Sequence, residues 1–388
     1  MEQRVVLPFF DPLASRDTLA ALWNKHGANN AELRQDLLAY FKELVREART
    51  AAQTGLEADG NGRRCAQTLS DFQDELIRLI YDFVTTNIYN VQNPSEAERM
   101  GIIATGGYGR GLLAPHSDID LLFLLPYKQT PWGESIAEYI LYMLWDLGFK
   151  VGHATRSIEQ TVRFAKTDIT TRTALLDSRY IIGDEALWGK FRTQFREQIL
   201  SGGHREFIAA KLDERNKRIE RIGGSRYRVE PNIKDGKGGL RDLHTLYWIA
   251  KHMNPDLTAE NFVEMGVFSK SEYGMYRHCE NFLWTVRCHL HFLANKAEER
   301  LTFDVQIAMA RRLRYRERPG LMAVERFMKH YFLIAKDVGD LTRILCSGLE
   351  VKQLKGLQQL NKLDLLHPLT WRTRARVSTT SDFRIENG

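Results

Sequence analysis

Apolar residues recur along most of this chain at the three-and-four spacing of helices, and in a few places at the denser spacing of buried strands. After Asn29 and Asn30, either of which can cap a helix, Leu33, Leu37, Phe41, Leu44, Val45 and Ala48 fall on one face. Residues 55–64 are a polar, glycine-rich break, and Leu69, Phe72, Leu76, Ile80, Phe83 and Val84 then repeat the helical pattern. The two segments are expected to pair antiparallel against a sheet; before them only a short helix around residues 19–23 is evident. A strand over 102–104 leads through Gly106, Gly107, Gly109 and Gly111 into a second apolar run that carries Asp118 and Asp120. A helix over 134–147, apolar at Ile136, Ile140, Met143, Leu144 and Leu147, stops at Gly148, and 149–156 reads as a further strand. Beyond Trp248 the chain turns strongly helical. Tyr276, Phe282, Leu283, Val286 and Leu290 form one stripe, and Val324, Met328, Phe332, Ala335, Val338 and Leu341 another. The pattern gives an α+β class: a small mixed sheet flanked by helices, followed by an all-helical domain.

The chemistry concentrates in ATGGYGRGLLAPHSDIDLLFLL, residues 104–125. The strand period of two puts Asp118 and Asp120 on one face, with Ile119 and Leu121 turned to the core. Two carboxylates on one face repel unless a cation lies between them, and hard oxygen ligands suit Mg²⁺, held together with substrate phosphates. The glycines upstream, Gly106 and Gly107 foremost, let backbone N–H groups approach phosphate; Ser117 adds a hydroxyl, and Arg110 is a further candidate nucleotide ligand. There is no GxxxxGK[ST] phosphate loop, and the glycines lead to a strand where a dinucleotide fingerprint needs a helix. A glycine pair followed by a strand with DxD resembles the signature of the nucleotidyltransferase superfamily. A third carboxylate usual in that superfamily is missing from the strand FKVGHATR, which leaves His153, Asp168 and Glu230 as substitutes. Asp168 has a competing reading as a helix N-cap, and the preference goes to Glu230, kept extended by Pro231.

A second informative stretch, YRVEPNIKDGKGGLRDLHTLYW (227–248), sets Lys234, Lys237 and Arg241 around a glycine turn that opens a helix. Loop N–H groups, the helix N-terminus and the three cations are expected to favour a triphosphate. The run ARRLRYRERPG (310–320) is read as a solvated helix end, and 351–388 as a polar linker.

Composition narrows the partners only slightly. At 388 residues and 43% hydrophobic content the chain is long enough for two or three domains. A net charge of +6 permits an anionic partner without identifying one. No aromatic-and-basic RNA module is evident, which counts against nucleic acid. Cys65, Cys279, Cys288 and Cys346 are too scattered for a zinc site or a disulfide scaffold and are expected to be reduced and buried. With neither a leader nor an apolar run of membrane-spanning length, the chain reads as cytoplasmic with no membrane partner.

GGYGRGLLAPHSDIDLLFL, ALLDSRYIIGD, EPNIKDGKGGLRDLHTLYWIA and the terminal FRIENG together resemble the N-terminal part of the bacterial PII uridylyltransferase and uridylyl-removing enzymes. The resemblance runs from about residue 101 to the end. It implies transfer of UMP from UTP to a tyrosine of the PII nitrogen-regulatory signal protein, with Mg²⁺ (or Mn²⁺) on Asp118 and Asp120. It further implies that an HD hydrolase domain and glutamine-sensing ACT domains would follow Gly388, so glutamine is expected as an effector only of a longer protein. The expected divisions are a helical region 1–95, a catalytic domain 96–200, a helical substrate or partner domain 201–350 and the linker. Two alternatives stand beside this reading: a nucleotidyltransferase with a nucleic-acid or other acceptor, and a non-catalytic nucleotide or PII sensor.

Overall fold

The computed structural model describes residues 7–27, 31–91, 95–225, 228–258 and 261–354, with side chains as far as residue 345. The first helix, α1 (Pro12–His26), starts where Asp11 accepts hydrogen bonds from the Leu13 and Ala14 N–H groups. α2 (Ala31–Asp59) and α3 (Gly62–Phe83) follow and pack on each other, and their apolar stripes are the buried faces expected from the spacing. Asn29 and Asn30 lie outside the described residues. Asn61 caps α3 by accepting from the Arg64 N–H.

The sheet begins with β1 (Gly101–Ala104), which runs into a single helical turn, α4 (Gly106–Gly109), and then β2 (Ile119–Leu125). α5 (Pro131–Asp146) crosses over to β3 (Val151–Ser157); α6 (Ile158–Thr167) and α7 (Ile169–Leu176) lead to β4 (Arg179–Gly183) and α8 (Glu185–Phe195). The strand order is β3-β2-β1-β4, with β1 antiparallel to β2 and β4, and β2 parallel to β3. A parallel pair needs a crossover, which α5 supplies. Thr130 caps it through the Gly133 N–H and Pro131 fits its first turn, so it begins three residues before the expected 134. β2 is buried along nearly all its length, as an apolar run between two covered faces should be. β4, inside the segment SRYIIGD, is a strand the sequence pattern did not reveal, because only Ile181 of its five residues is buried.

The chain divides into two compact units. The first holds the described residues up to His204 and takes back Trp284–Glu299; the second holds Arg205–Leu283 and the described residues from Arg300. Residues 7–91, expected as a separate helical region, therefore belong to the same unit as the sheet. The second unit contains α9 (His204–Arg221) from Arg205 onward, α10 (Leu240–Met253), the first part of α11 (Lys270–Ala294), α12 (Phe303–Arg312) and α13 (Ala323–Leu354). Asp242, fully buried on α10, is its polar anchor: it accepts from Arg215 and Arg218 of α9 and from the Gly238 N–H. Arg228 and Val229, just before Glu230, are not in a strand; Tyr227 lies outside the described residues, as do 355–388. Cys65, Cys279 and Cys288 are free and buried. No helix among the described residues is long and apolar enough to cross a membrane.

The returning segment of the first unit is stitched to the start of α3. The Thr285 hydroxyl donates to the Gly60 carbonyl at 2.8 Å and accepts from the Gly62 N–H at 2.9 Å. A Cβ on Gly62 would stand 2.0 Å from the Thr285 nitrogen, so the helix start can meet this backbone only as glycine. Gly62→Ala is expected to lower unfolding stability in urea by about 2–3 kcal/mol, the cost of overpacking a filled site; a loss below the error of the titration would contradict this packing.

Candidate active site

The glycine turn is held from below by a buried carboxylate. Asp74 of α3 accepts from the Tyr108 hydroxyl at 2.6 Å and pairs with Arg179 of β4. The same guanidinium reaches the Gly109 carbonyl at 3.3 Å. Tyr108 is fully buried, and burial, with Asp74 beside it, pushes its phenol well above the ordinary range. It therefore serves as a neutral donor. Gly109 lies against the Asp177 carbonyl, where a Cβ would come within 2.0 Å, and Arg110 is committed to the buried Asp177 carboxylate at 2.7 Å. Arg110, expected on the nucleotide, thus holds the turn onto α7.

This fixed turn faces Asp120. Gly106 has φ 59, a left-handed conformation that favours glycine, and a Cβ there would stand 2.8 Å from Asp120 Oδ2. On the other side, β3 pairs Gly152 with Asp120, and a Cβ on Gly152 would come within 2.6 Å of Oδ1. The carboxylate therefore stands between two glycines, each oxygen against one of them. Gly107 is different: its φ is ordinary, and an added Cβ would meet only Arg110 Nη2 at 3.7 Å. The demand for glycine falls on Gly106 and Gly109, while the space beside Gly107 is open. The Thr105 side chain does not cap α4, so it leaves the first N–H groups of the turn to other acceptors.

Asp118, expected on the strand with Asp120, is instead exposed in the loop just before β2, so the strand period fixes the side of Asp120 alone. That loop is set by Ser117, whose hydroxyl oxygen accepts from Arg287 Nη2 at 3.0 Å and so keeps its proton to donate. Arg287 is held by Glu299 through both carboxylate oxygens. The His116 N–H donates to His291 Nδ1 at 3.3 Å, which places the His291 proton on Nε2, facing Glu299 at 3.5 Å. Burial by itself would raise the Glu299 carboxyl; the His291 and Arg287 contacts outweigh it and hold it at about 2.

The substitutes for a third carboxylate fare differently. His153 pairs with Leu121, on the sheet face opposite Asp120, and meets the Trp145 ring of α5 at 6.0 Å, so it is not on the aspartate face. Asp168 caps α7, accepting from the Thr170 and Thr171 N–H groups. Glu230 lies in the second unit and accepts from the Phe303 N–H, at the start of α12, at 2.9 Å. Around the second glycine turn the expected anion site is internally satisfied. The Leu240, Arg241 and Asp242 N–H groups donate to the Ile233, Lys234 and Gly239 carbonyls, closing the helix N-terminus. Gly236, Gly238 and Gly239 are required by backbone packing, since a Cβ at each would come within 2.5 Å of a carbonyl oxygen. Lys237 donates to the Gly224 carbonyl, and Arg241 reaches Asp235 and lies over the Trp248 ring.

Among the described residues no group of three or more His, Cys, Asp or Glu is arranged to hold a metal ion. The candidate donors are the exposed Asp118 carboxylate just before β2 and the Asp120 carboxylate wedged between glycines, and hard oxygens of this kind fit Mg²⁺ with the remaining positions left to phosphate and water. The sequence reading missed Gly152, Asp74, Asp177, Arg179, Arg287 and Glu299, the groups that hold the site in shape. Asp177 and Arg179 were in view within ALLDSRYIIGD, but no spacing rule marks them as supports.

A four-stranded mixed sheet with a glycine turn over a strand-borne aspartate defines the class: the chain carries a nucleotidyltransferase domain, and residues 91–174 match the family model described as nucleotidyltransferase domain. Residues 206–346 match the model described as GlnD PII-uridylyltransferase. The chain is 51% identical over 379 residues to the bifunctional uridylyltransferase/uridylyl-removing enzyme of Rhodopseudomonas palustris, and 50% identical over 380 residues to that of Bradyrhizobium sp. strain ORS 278. These alignments cover 97% of this chain but 41% and 40% of the relatives, so the chain spans about two fifths of their length.

Gly152→Ala is expected to leave the melting temperature close to that of the parent chain but to lower nucleotide transfer at least about tenfold, because a methyl beside Oδ1 turns the Asp120 carboxylate off its line. Transfer at the parental rate would show that the wedge is not functional. Glu299 gives a pH test. Its folded pKa lies below the ordinary 4.5, so its contribution is fully present above that value and is lost as pH falls from about 4.5 toward 2. Unfolding free energies of the parent and Glu299→Gln should differ by on the order of 3 kcal/mol at pH 7, with the gap shrinking below about pH 4.5 and closing only as pH falls to about 2; a gap that stays constant with pH would refute the assignment.

Proposed function

We propose that this chain transfers UMP from UTP to a tyrosine of the PII signal protein and releases pyrophosphate. The observation that carries the reading is Asp120 set against the glycine turn, with Asp118 exposed two residues before it, in a chain half identical to enzymes named as uridylyltransferases. The phenolic oxygen of the acceptor attacks the α-phosphorus of UTP, the bond from that phosphorus to the oxygen bridging to the β-phosphate breaks, and pyrophosphate leaves with the electron pair. The phenolic proton passes to solvent. Asp118 and Asp120 hold Mg²⁺, for which Mn²⁺ can substitute, and the metal supplies charge neutralisation at the phosphates. The protein's own task is alignment: the wedge fixes Asp120, and Arg287 fixes Ser117 and with it the loop of Asp118. The N–H groups at Gly106 and Gly107 and the Ser117 hydroxyl are the donors assigned to phosphate oxygens. No nucleophile on this chain is needed, because the acceptor oxygen belongs to PII.

The reading assigns the metal to two carboxylates, since Asp168 and Glu230 each cap a helix. The test is incubation with UTP, Mg²⁺ and PII, followed by the intact mass of PII. A gain of one UMP per modified subunit is expected, with CTP and ATP giving none. Asp118→Asn and Asp120→Asn should each cut the rate by at least about a thousandfold with melting temperatures unchanged or raised, because a repulsive pair is relieved. Glu230→Gln, which still accepts from the Phe303 N–H, should retain most of the activity. Activity in either aspartate variant would remove the metal assignment, and a dead but stable Glu230→Gln would make Glu230 the third carboxylate.

A further inference from the structure

α2 carries a second periodicity besides its buried stripe. Lys42, Arg46 and Arg49 stand at i, i+4 and i+7, on one helical face. They line one wall of an open cavity of about 410 Å³ in the first unit, and Leu147 and Phe292 are part of the rest of its lining. This volume is within the usual range for small-molecule sites. The three cations are not equivalent. Arg46 is paired with Glu43 next to it on the helix, and Lys42 is exposed. Arg49 is half-buried, has no carboxylate partner among the described residues, and lies 5.6 Å from the Phe149 ring centroid. Burial presses its pKa below the ordinary range with no acidic neighbour opposing the shift. His116, also in the wall, adds no charge at neutral pH, since burial, then Arg49 and His291, push it down to about 4.

A guanidinium taken partly out of water without a counter-ion is unfavourable, and a ligand oxyanion would supply the missing charge with the planar, two-pronged geometry that suits arginine. We propose that this cavity is a binding site for a small phosphate- or carboxylate-bearing metabolite, its anionic group on Arg49 and Lys42 and its body against Leu147 and Phe292. Neither Asp118, Asp120 nor any residue of the Gly106–Gly109 turn is in its lining. An occupant would abut His116, whereas the Asp118 side chain is outside the lining.

Calorimetric titration of the whole chain with phenyl phosphate and, separately, with phthalate tests the proposal, in EDTA and without nucleotide. One site per chain is expected for at least one probe, weakening as KCl is raised. Binding of phenyl phosphate alone assigns a phosphorylated ligand, and binding of phthalate alone a dicarboxylate. Arg49→Gln should weaken binding at least about tenfold, the loss of a charge-assisted hydrogen-bonded contact. Lys42→Gln, at an exposed position that cannot compromise folding, should weaken it about threefold, and Asp118→Asn should leave it unchanged. Absence of binding for both probes, unchanged affinity in Lys42→Gln, or loss in Asp118→Asn would overturn the proposal, even if Arg49→Gln proved unstable.

Discussion

The Asp120 carboxylate stands between the Cα atoms of Gly106 and Gly152, and most of the first unit serves to keep those backbones that close. Either oxygen would collide with a side chain at the adjoining position. The parallel pairing of β2 with β3 brings Gly152 beside Asp120, and the crossover through α5 makes that pairing possible. The left-handed backbone of Gly106 brings the turn in from the opposite side. A functional carboxylate gains from such a wedge because its rotamer is fixed before any ligand arrives, so that no ordering cost remains at the moment of binding.

What fixes the turn and the neighbouring loop is a set of buried or half-buried carboxylates that each hold a cation and, through it, a piece of backbone. Asp74 secures Tyr108 and Arg179, Asp177 secures Arg110, and Glu299 secures Arg287, which in turn positions Ser117. Asp242 does the same for α9 and α10 in the second unit. Buried pairs of this kind add little net stability against an apolar core, and their value is directional: removing one partner strands the other charge. Asp118, by contrast, is left exposed and unburdened by such a partner among the described residues, as suits a group whose partner is a ligand.

The helical architecture was legible because amphipathic spacing reports one buried face, and α2, α3, α5 and the helices beyond Trp248 follow it. β2 was legible for the opposite reason, being apolar apart from Asp120 and buried on both faces. β4 was not, since an edge strand with one buried residue leaves no period to detect. The i, i+2 rule expected to set both aspartates on one strand face reaches only Asp120, because Asp118 stands in the loop before β2; applied through the register with β3, it removes His153 from the Asp120 side. The glycines of KDGKGG illustrate the limit. A glycine and lysine turn before a helix looks like an anion site, yet here the glycines are demanded by backbone contacts and the helix N–H groups are consumed by the loop itself. Composition cannot distinguish a turn open to a ligand from one closed on its own carbonyls; only the hydrogen-bond partners do. The supports Gly152, Asp177 and Glu299 were hidden for a related reason, because their roles come from residues 32, 67 and 12 positions away in the chain.

The account rests on the metal and the nucleotide meeting at the aspartate face. Anomalous scattering from crystals grown with Mn²⁺ and UTP is its most direct test. The account predicts a manganese peak bonded to oxygens of both Asp118 and Asp120 at roughly 2.1 Å, with phosphate oxygens completing its shell and the Asp120 carboxylate still between Gly106 and Gly152. A peak elsewhere, or a nucleotide bound away from the glycine turn with Asp118 and Asp120 uncoordinated, would contradict it.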